Sequence, residues 1–134
     1  MSNNRTELFY HLVWHTKDNE PYLETSIESI VYPYIRRRVE EWQGKVLRIN
    51  GTENHIHILI SIPPNKLVSE FIRKIKASSA TYINNNRDIN GYLYWQRGYG
   101  AFTVSKQNLE KLSNYIDNQK QYHQTSKIEP SWEL

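Results

Sequence analysis

The strongest chemical signal in the sequence is His55-Ile56-His57. On a β-strand, residues two apart point to the same face, so this spacing sets two imidazoles side by side. Neutral imidazoles are divalent-metal ligands, and two on one face can share one ion. The other reading is an ordinary pair of surface histidines. A second pair, Tyr115 and Gln119, is spaced four apart in a segment with helical periodicity, which puts both on one side of a helix. The phenol is a possible nucleophile, and the amide oxygen of Gln119 can serve a metal. The alternative is a half-buried tyrosine beside a solvent-facing glutamine. Together the four residues suit phosphodiester chemistry. A metal polarises the phosphate while the tyrosine attacks phosphorus. A phenol with an ordinary pKa near 10 needs help to lose its proton. The phosphotyrosine bond would keep the energy of the broken linkage, so rejoining needs no ATP, and the chain has no Gly-rich phosphate loop.

These residues need elements to hold them. Leu8 to Thr16 alternates with period two and reads as a first strand. A helix follows from about Ser26 to Gln43. Thr25 and Glu28 have capping-box spacing, Pro33 predicts a kink or a later start, and Gly44 a stop. Lys45 to Asn50 and His55 to Ile62 read as strands around a Gly51–Asn54 turn, closed by Pro63-Pro64. Ile56, Ile58, Ile60 and Ile62 then form an apolar row opposite the histidines, which puts the histidines on the open face. A second helix runs from about Leu67 to Asn84, a polar loop to Gly91, and a short strand from Gly100 to Val104. Ser105 caps a last helix from Lys106 to His123, built on Leu109, Leu112 and Ile116. The order β-α-β-β-α-β plus a helix predicts an α+β, ferredoxin-like fold. It has one antiparallel sheet with two helices on one face and an additional C-terminal helix carrying the tyrosine.

The 134 residues fit one domain spanning 1–134, and 38% hydrophobic content excludes a disordered tail. No apolar run is long enough to span a bilayer, and the polar start Met1-Ser2-Asn3-Asn4-Arg5 lacks a secretory signal core. With no cysteine there are no disulfides or thiolate sites, and a cytoplasmic location is the simplest expectation. The net charge of +3 is weak support for a polyanionic partner. Ten tyrosines and four tryptophans offer faces for unpaired bases, or core filling.

The ordered set of motifs resembles the IS200/IS605-type transposases, single-tyrosine members of the HUH nucleases. It runs from Tyr10-His11-Leu12-Val13-Trp14-His15-Thr16-Lys17 through Gly51-Thr52-Glu53-Asn54-His55-Ile56-His57 and on to Ile62-Pro63. Ile75-Lys76-Ala77-Ser78-Ser79, Trp95 to Ser105 and Tyr115-Ile116-Asp117-Asn118-Gln119 complete it. The resemblance implies that His55 and His57 are the metal-binding pair, Gln119 the third protein ligand and Tyr115 the nucleophile. It implies Mg²⁺ or Mn²⁺ as cofactor and cleavage of single-stranded DNA to a 5′-phosphotyrosine. It also implies recognition of imperfect hairpins at element ends, and a homodimer that exchanges its final helix. Asn54 stands where many relatives have Asp, a position beside the ligands rather than among them. The tail Thr125 to Leu134 matches poorly and receives no role.

Lys17, Arg73, Lys74, Lys76 and Arg97 are the candidate DNA contacts, with solvated helix faces as the alternative for those on helices. Arg36, Arg37 and Arg38 diverge around their helix and do not make one patch. Trp95 stacks a base or packs, while His11, His15 and His123 read as structural or surface residues. Two rival functions share these residues. One is a domesticated relative that processes repeated chromosomal hairpins. The other is a non-catalytic single-stranded nucleic-acid binder using the open sheet.

Overall fold

In the computed structural model, which describes residues 4–124 and 128–134, period-two segments and amphipathic helices assemble as one antiparallel sheet with helices on both faces. The strands are β1 (Phe9–His15), β2 (Lys45–Thr52), β3 (His55–Ser61) and β4 (Gly100–Val104), in the order β2-β3-β1-β4. Every neighbouring pair is antiparallel. Helices α1 (Thr25–Glu41) and α2 (Val68–Asn84) supply the two crossovers. This is the expected ferredoxin-like arrangement, with β3 inserted between the strands that α1 connects.

The sheet's two faces have different jobs. Leu12 and Trp14 of β1 and Ile56, Ile58 and Ile60 of β3 join Ile27, Val31, Ile35 and Val39 of α1 and Phe71, Ile72 and Ile75 of α2 in the main core. Each fully buried aliphatic side chain there is worth roughly 1.5–3 kcal/mol. That burial explains why α1 already runs from Thr25 and continues across Pro33, against the expected alternative of a later start. The apolar stripe outweighs the roughly 3 kcal/mol an interior proline costs. Thr25 and Glu28 form no capping box, since the N-cap is Glu24 and makes no side-chain cap hydrogen bond. Glu28 instead accepts the Tyr32 hydroxyl at 3.0 Å and pairs with Lys120 at 3.0 Å.

The opposite face is not open. Helices α3 (Leu109–Asp117) and α4 (Gln119–Gln124) lie over it, and Leu112, Tyr115 and Ile116 pack on Leu59 as a second small core. The single final helix expected from the sequence is therefore two. Asn118 separates them, and its side-chain amide donates to the Asn114 carbonyl at 2.7 Å. Such back-bonding competes with continuation of the helical ladder. Among the described residues no helix is long and apolar enough to cross a membrane.

Candidate active site

Strand β3 presents His55 and His57 to the face covered by α3 and α4, and both are buried, at 2% and 0% exposure. The hairpin leading to them is tight, because β2 extends to Thr52 and leaves only Glu53 and Asn54 to turn. Gly51 makes this possible, since a Cβ there would lie 2.1 Å from the His55 carbonyl oxygen. The turn also aims the first imidazole. His55 Nδ1 lies 2.8 Å from Thr52 Oγ1 and 3.0 Å from Asn54 Oδ1. Thr52 donates its own proton to Asn54, so both oxygens are acceptors for His55 Nδ1–H. That fixes the tautomer and leaves the Nε2 lone pair facing inward. His57 is held through Nδ1, 2.8 Å from Nε2 of His11 on β1.

What Nε2 of His55 meets is informative. Gln119 Oε1 is 3.2 Å away and a carboxylate oxygen of Glu133 is 3.7 Å away. The same carboxylate oxygen is 3.1 Å from His57 Nε2, and the other lies 3.6 Å from His123 Nε2. Imidazole nitrogens, an amide oxygen and a carboxylate thus converge on one point. The prospective ligand atoms of His55, His57, His123 and Glu133 all lie within 4.8 Å of one another. Burial lowers the pKa of His55 to about 3, helped by the charges of His57 and His123. Burial likewise lowers that of His57. Both rings are therefore neutral at physiological pH, the form that binds metal. A converging set of nitrogen and oxygen acceptors without thiolate fits a hard or borderline divalent ion.

Tyr115 is brought to this point by the contacts that pin α3 over β2. Asn50 Nδ2 donates to the terminal carbonyls of Ile116 and Asp117 at 2.9 and 3.1 Å. Lys120 reaches Asn50 Oδ1 at 2.8 Å and the Gly51 carbonyl at 3.1 Å. The Tyr115 ring stands edge-on to His57 with centroids 6.0 Å apart. Its hydroxyl donates to Glu133 and accepts the Glu129 N–H at 3.0 Å. Burial raises its pKa to about 12, and the neighbouring carboxylate adds to the shift. Burial alone would raise Glu133, but its bonds from His57 and Tyr115 outweigh that and hold it ionised, near 2.

The structure therefore brings His55, His57, Tyr115 and Gln119 together, as their spacing suggests. It adds three residues to which the sequence reading gave no part in chemistry. His123 carried a signal, being four residues beyond Gln119 on the same helical face. His11 and Glu133 carried none, because their positions depend on long-range contacts. His11 is buried against His57, the structural one of the two roles expected for it.

The five candidate DNA contacts lie apart from this centre, in two grooves. Arg73 and Lys74 line a groove of about 820 Å³ between α1 and α2, beside Arg38, Trp42, Tyr82 and Arg87. Its lining includes no carboxylate. Tyr34 and Tyr82 stack there at 4.2 Å, and the Arg38 and Lys74 cations lie 5.2 and 5.5 Å from the Trp42 ring centroid. Lys17, Lys76 and Arg97 share a second groove with Tyr94 and Trp95. There the Lys76 ammonium donates to the carbonyls of Gln96 and Gly98 at 2.7 and 3.0 Å. Trp95 packs edge-on against Trp14 and donates its indole N–H to Ser79.

Comparison with known proteins finds relatives over most of the chain. A family model described as "Transposase IS200 like" matches residues 4–119. The ISDra2 transposase TnpA of Deinococcus radiodurans is 24% identical over 118 residues, 84% of each chain. The transposase for insertion sequence element IS200 of Salmonella typhimurium is 27% identical over 124 residues, 89% of this chain and 81% of that one. Among solved structures, a REP-associated tyrosine transposase bound to a REP hairpin superposes with a TM-score of 0.68 at 15% identity. It covers 92% of this chain and 74% of that one, a likeness of fold.

Proposed function

The chain belongs to the IS200-like transposase family, and from that premise we propose that it cuts and rejoins single-stranded DNA through a covalent 5′-phosphotyrosine on Tyr115. The observation that carries the reading is the meeting of Tyr115 with a buried cluster of inward-facing imidazole nitrogens and an amide oxygen, from His55, His57 and Gln119. These three side chains would hold Mg²⁺ or Mn²⁺, and a bound ion supplies Lewis-acid polarisation of a phosphate oxygen. The rest of the chemistry belongs to the protein. Thr52, Asn54 and His11 orient the ligand rings. Tyr115 Oη attacks phosphorus, so the Oη–P bond forms as the P–O3′ bond breaks. The tyrosine gives up one proton and the freed 3′ oxygen takes one up, and the number of ester bonds is unchanged. Attack by the 3′ oxygen on the phosphotyrosine reverses the step, which rejoins strands without ATP.

The carboxylate-free groove between α1 and α2 supports binding of a DNA stem through its phosphates, with Arg73 and Lys74 as contacts. Lys17 and Arg97, beside exposed Tyr94, suit the single-stranded flank. The family's helix exchange would rebuild the same constellation between two copies. Mixing Tyr115→Phe chains with His57→Ala chains tests this. Exchange restores activity to the mixture, and self-contained chains leave it inactive.

The test of the function is incubation with Mn²⁺ or Mg²⁺ and single-stranded oligonucleotides tiling the flanks of the gene. An SDS-stable protein–DNA adduct, abolished by chelator and by Tyr115→Phe, is the expected result. Metal-independent binding with no adduct on any hairpin-bearing flank would favour a pure binding protein.

A further inference from the structure

The segment between α2 and β4 turns two aromatic rings to water and holds them there. Leu93 is fully buried in the main core, while Tyr92 and Tyr94 on either side of it are 63% and 45% exposed. The two rings are nearly parallel, with 17° between their planes and centroids 6.5 Å apart, and Tyr22 stands edge-on to Tyr94 at 5.7 Å. The backbone beneath them is pinned. Leu93 N–H donates to Asn84 Oδ1 and Asn84 Nδ2 donates to the Leu93 carbonyl, each at 2.8 Å. The Tyr94 carbonyl accepts the Lys17 N–H at 2.8 Å. Rings this exposed add little to the core, since burial is what makes an apolar group stabilising. A pinned pair also loses little further freedom when a flat ligand settles on it. The surroundings are those of a nucleic-acid strand. Tyr94 lines the groove of Lys17 and Arg97, in which Asp18 is the one carboxylate. Ala77 lines both this groove and that of Arg73 and Lys74, so the two adjoin along α2. In the other direction Thr16, next to Lys17, donates its N–H to the Asn54 carbonyl at 2.9 Å, in the turn that carries His55.

We propose that Tyr92 and Tyr94 form a stacking platform for an unpaired base of single-stranded DNA, with Lys17 and Arg97 taking the neighbouring phosphates. The inference rests on the transposase reading above and gives the bases of the flank, as well as its phosphates, a seat on the protein. Every base has a face to stack, so the platform accepts flanks of any sequence and leaves the choice of cutting site to other contacts. Paired bases inside a duplex have both faces covered by their neighbours. The platform therefore separates single strands from double strands, which a row of cations alone cannot do.

The experiment gives the full-length protein a short oligothymidylate or an abasic strand of the same length and charge, and reads binding by fluorescence anisotropy. Wild type should bind the oligothymidylate about tenfold or more tightly than the abasic strand. Tyr92→Ala with Tyr94→Ala should erase that preference and leave affinity for the abasic strand unchanged. Tyr92→Phe with Tyr94→Phe should keep it, because stacking uses the ring face and not the hydroxyl. The salt dependence should be the same in wild type and the alanine variant. Lys17→Gln with Arg97→Gln should flatten the salt dependence and spare the preference for bases. Equal wild-type affinity for the two strands would overturn the proposal, and so would a preference that survives both alanines or disappears with both phenylalanines. Ultraviolet cross-linking of the oligothymidylate, mapped by mass spectrometry, gives a second readout that decides the matter even if the alanine variant fails to fold. Cross-links at Tyr92 or Tyr94 are expected, and cross-links confined to other residues would overturn the proposal. Neither measurement requires metal or cleavage. If Tyr115 forms no adduct with DNA, the transposase reading fails on its own, and the binding and cross-linking results still decide whether the rings hold a base.

Discussion

Replacing Tyr115 with phenylalanine separates chemistry from architecture. The ring is 5% exposed and packs between Tyr122, stacked at 5.3 Å, and Trp132. Phenylalanine keeps all of that packing. What goes is one oxygen that donates to the Glu133 carboxylate and accepts from the Glu129 amide. A bond to a charged group contributes about 1.5–3 kcal/mol and a neutral one about 1 kcal/mol. The C-terminal segment can turn its freed groups to water, so the net cost should be about 1–3 kcal/mol. For a domain of this size that lowers Tm by roughly 3–10 °C. Three assays on one preparation define the outcome: thermal unfolding, hairpin affinity by gel shift, and the SDS-stable adduct. A folded, slightly less stable protein with near-normal hairpin affinity and no adduct is expected. An adduct formed by the phenylalanine variant would refute the nucleophile assignment. A loss of hairpin affinity as large as the loss of adduct would refute the separation of the stem site from the catalytic centre.

Other perturbations reach other parts of the account. Mn²⁺ should raise Tm, by the equivalent of about 2.7 kcal/mol at a hundredfold excess over its dissociation constant. His55→Ala or His57→Ala should abolish that response, and a response that survived both would place the ion elsewhere. Acid should destabilise the metal-free protein. Burial depresses the folded-state pKa of His11 and of His55 from 6.5 to about 3. The unfolded chain therefore takes up protons that the folded chain refuses, and stability intact above about pH 6.5 is lost as pH falls toward 3. From pH 7 to 5 each ring should cost about 2 kcal/mol, read as a lower urea midpoint. A flat profile over that range would contradict the buried neutral assignment. Reversing charge with Arg73→Glu and Lys74→Glu should weaken hairpin binding about tenfold or more. It should also flatten its salt dependence by one to two phosphate contacts. Unchanged affinity would move the stem to the Lys17 and Arg97 groove.

The parts of the site that could be read in advance were those governed by local geometry. Period two put His55 and His57 on one face and the isoleucines on the other, and the pairing of β3 with β1 and β2 bears this out. Helical spacing put Gln119 below Tyr115, and the side chain reaches His55 even though Asn118 breaks the helix between them. The sheet order followed from the succession of elements and the ferredoxin-like rule. What the sequence hid was decided by distant contacts. The histidine face is covered because Leu112 and Ile116 need Leu59. The tail has no periodicity at all, and Glu133 reaches the centre through a segment that packs Trp132 on Tyr115 and donates the Glu129 N–H to its hydroxyl. Arg73, Lys74 and Lys76 share one helix, yet Lys76 lines the groove of Lys17 and Arg97 while Arg73 and Lys74 line the other.

Strand β3 is buried on both sides through six consecutive residues, His55 to Ile60. Its alternate side chains belong to two different environments, the apolar core and the imidazole cluster. A slip of one residue would drive both imidazoles into the hydrocarbon layer and turn isoleucines toward the tyrosine. The strand therefore acts as a proofreading device for its own folding. No mis-registered chain can assemble the histidine cluster, so a competent catalyst and a correctly folded sheet are one event. A single-residue insertion or deletion within β3, between Ile56 and Ile60, should be read out as an all-or-nothing defect rather than a graded one.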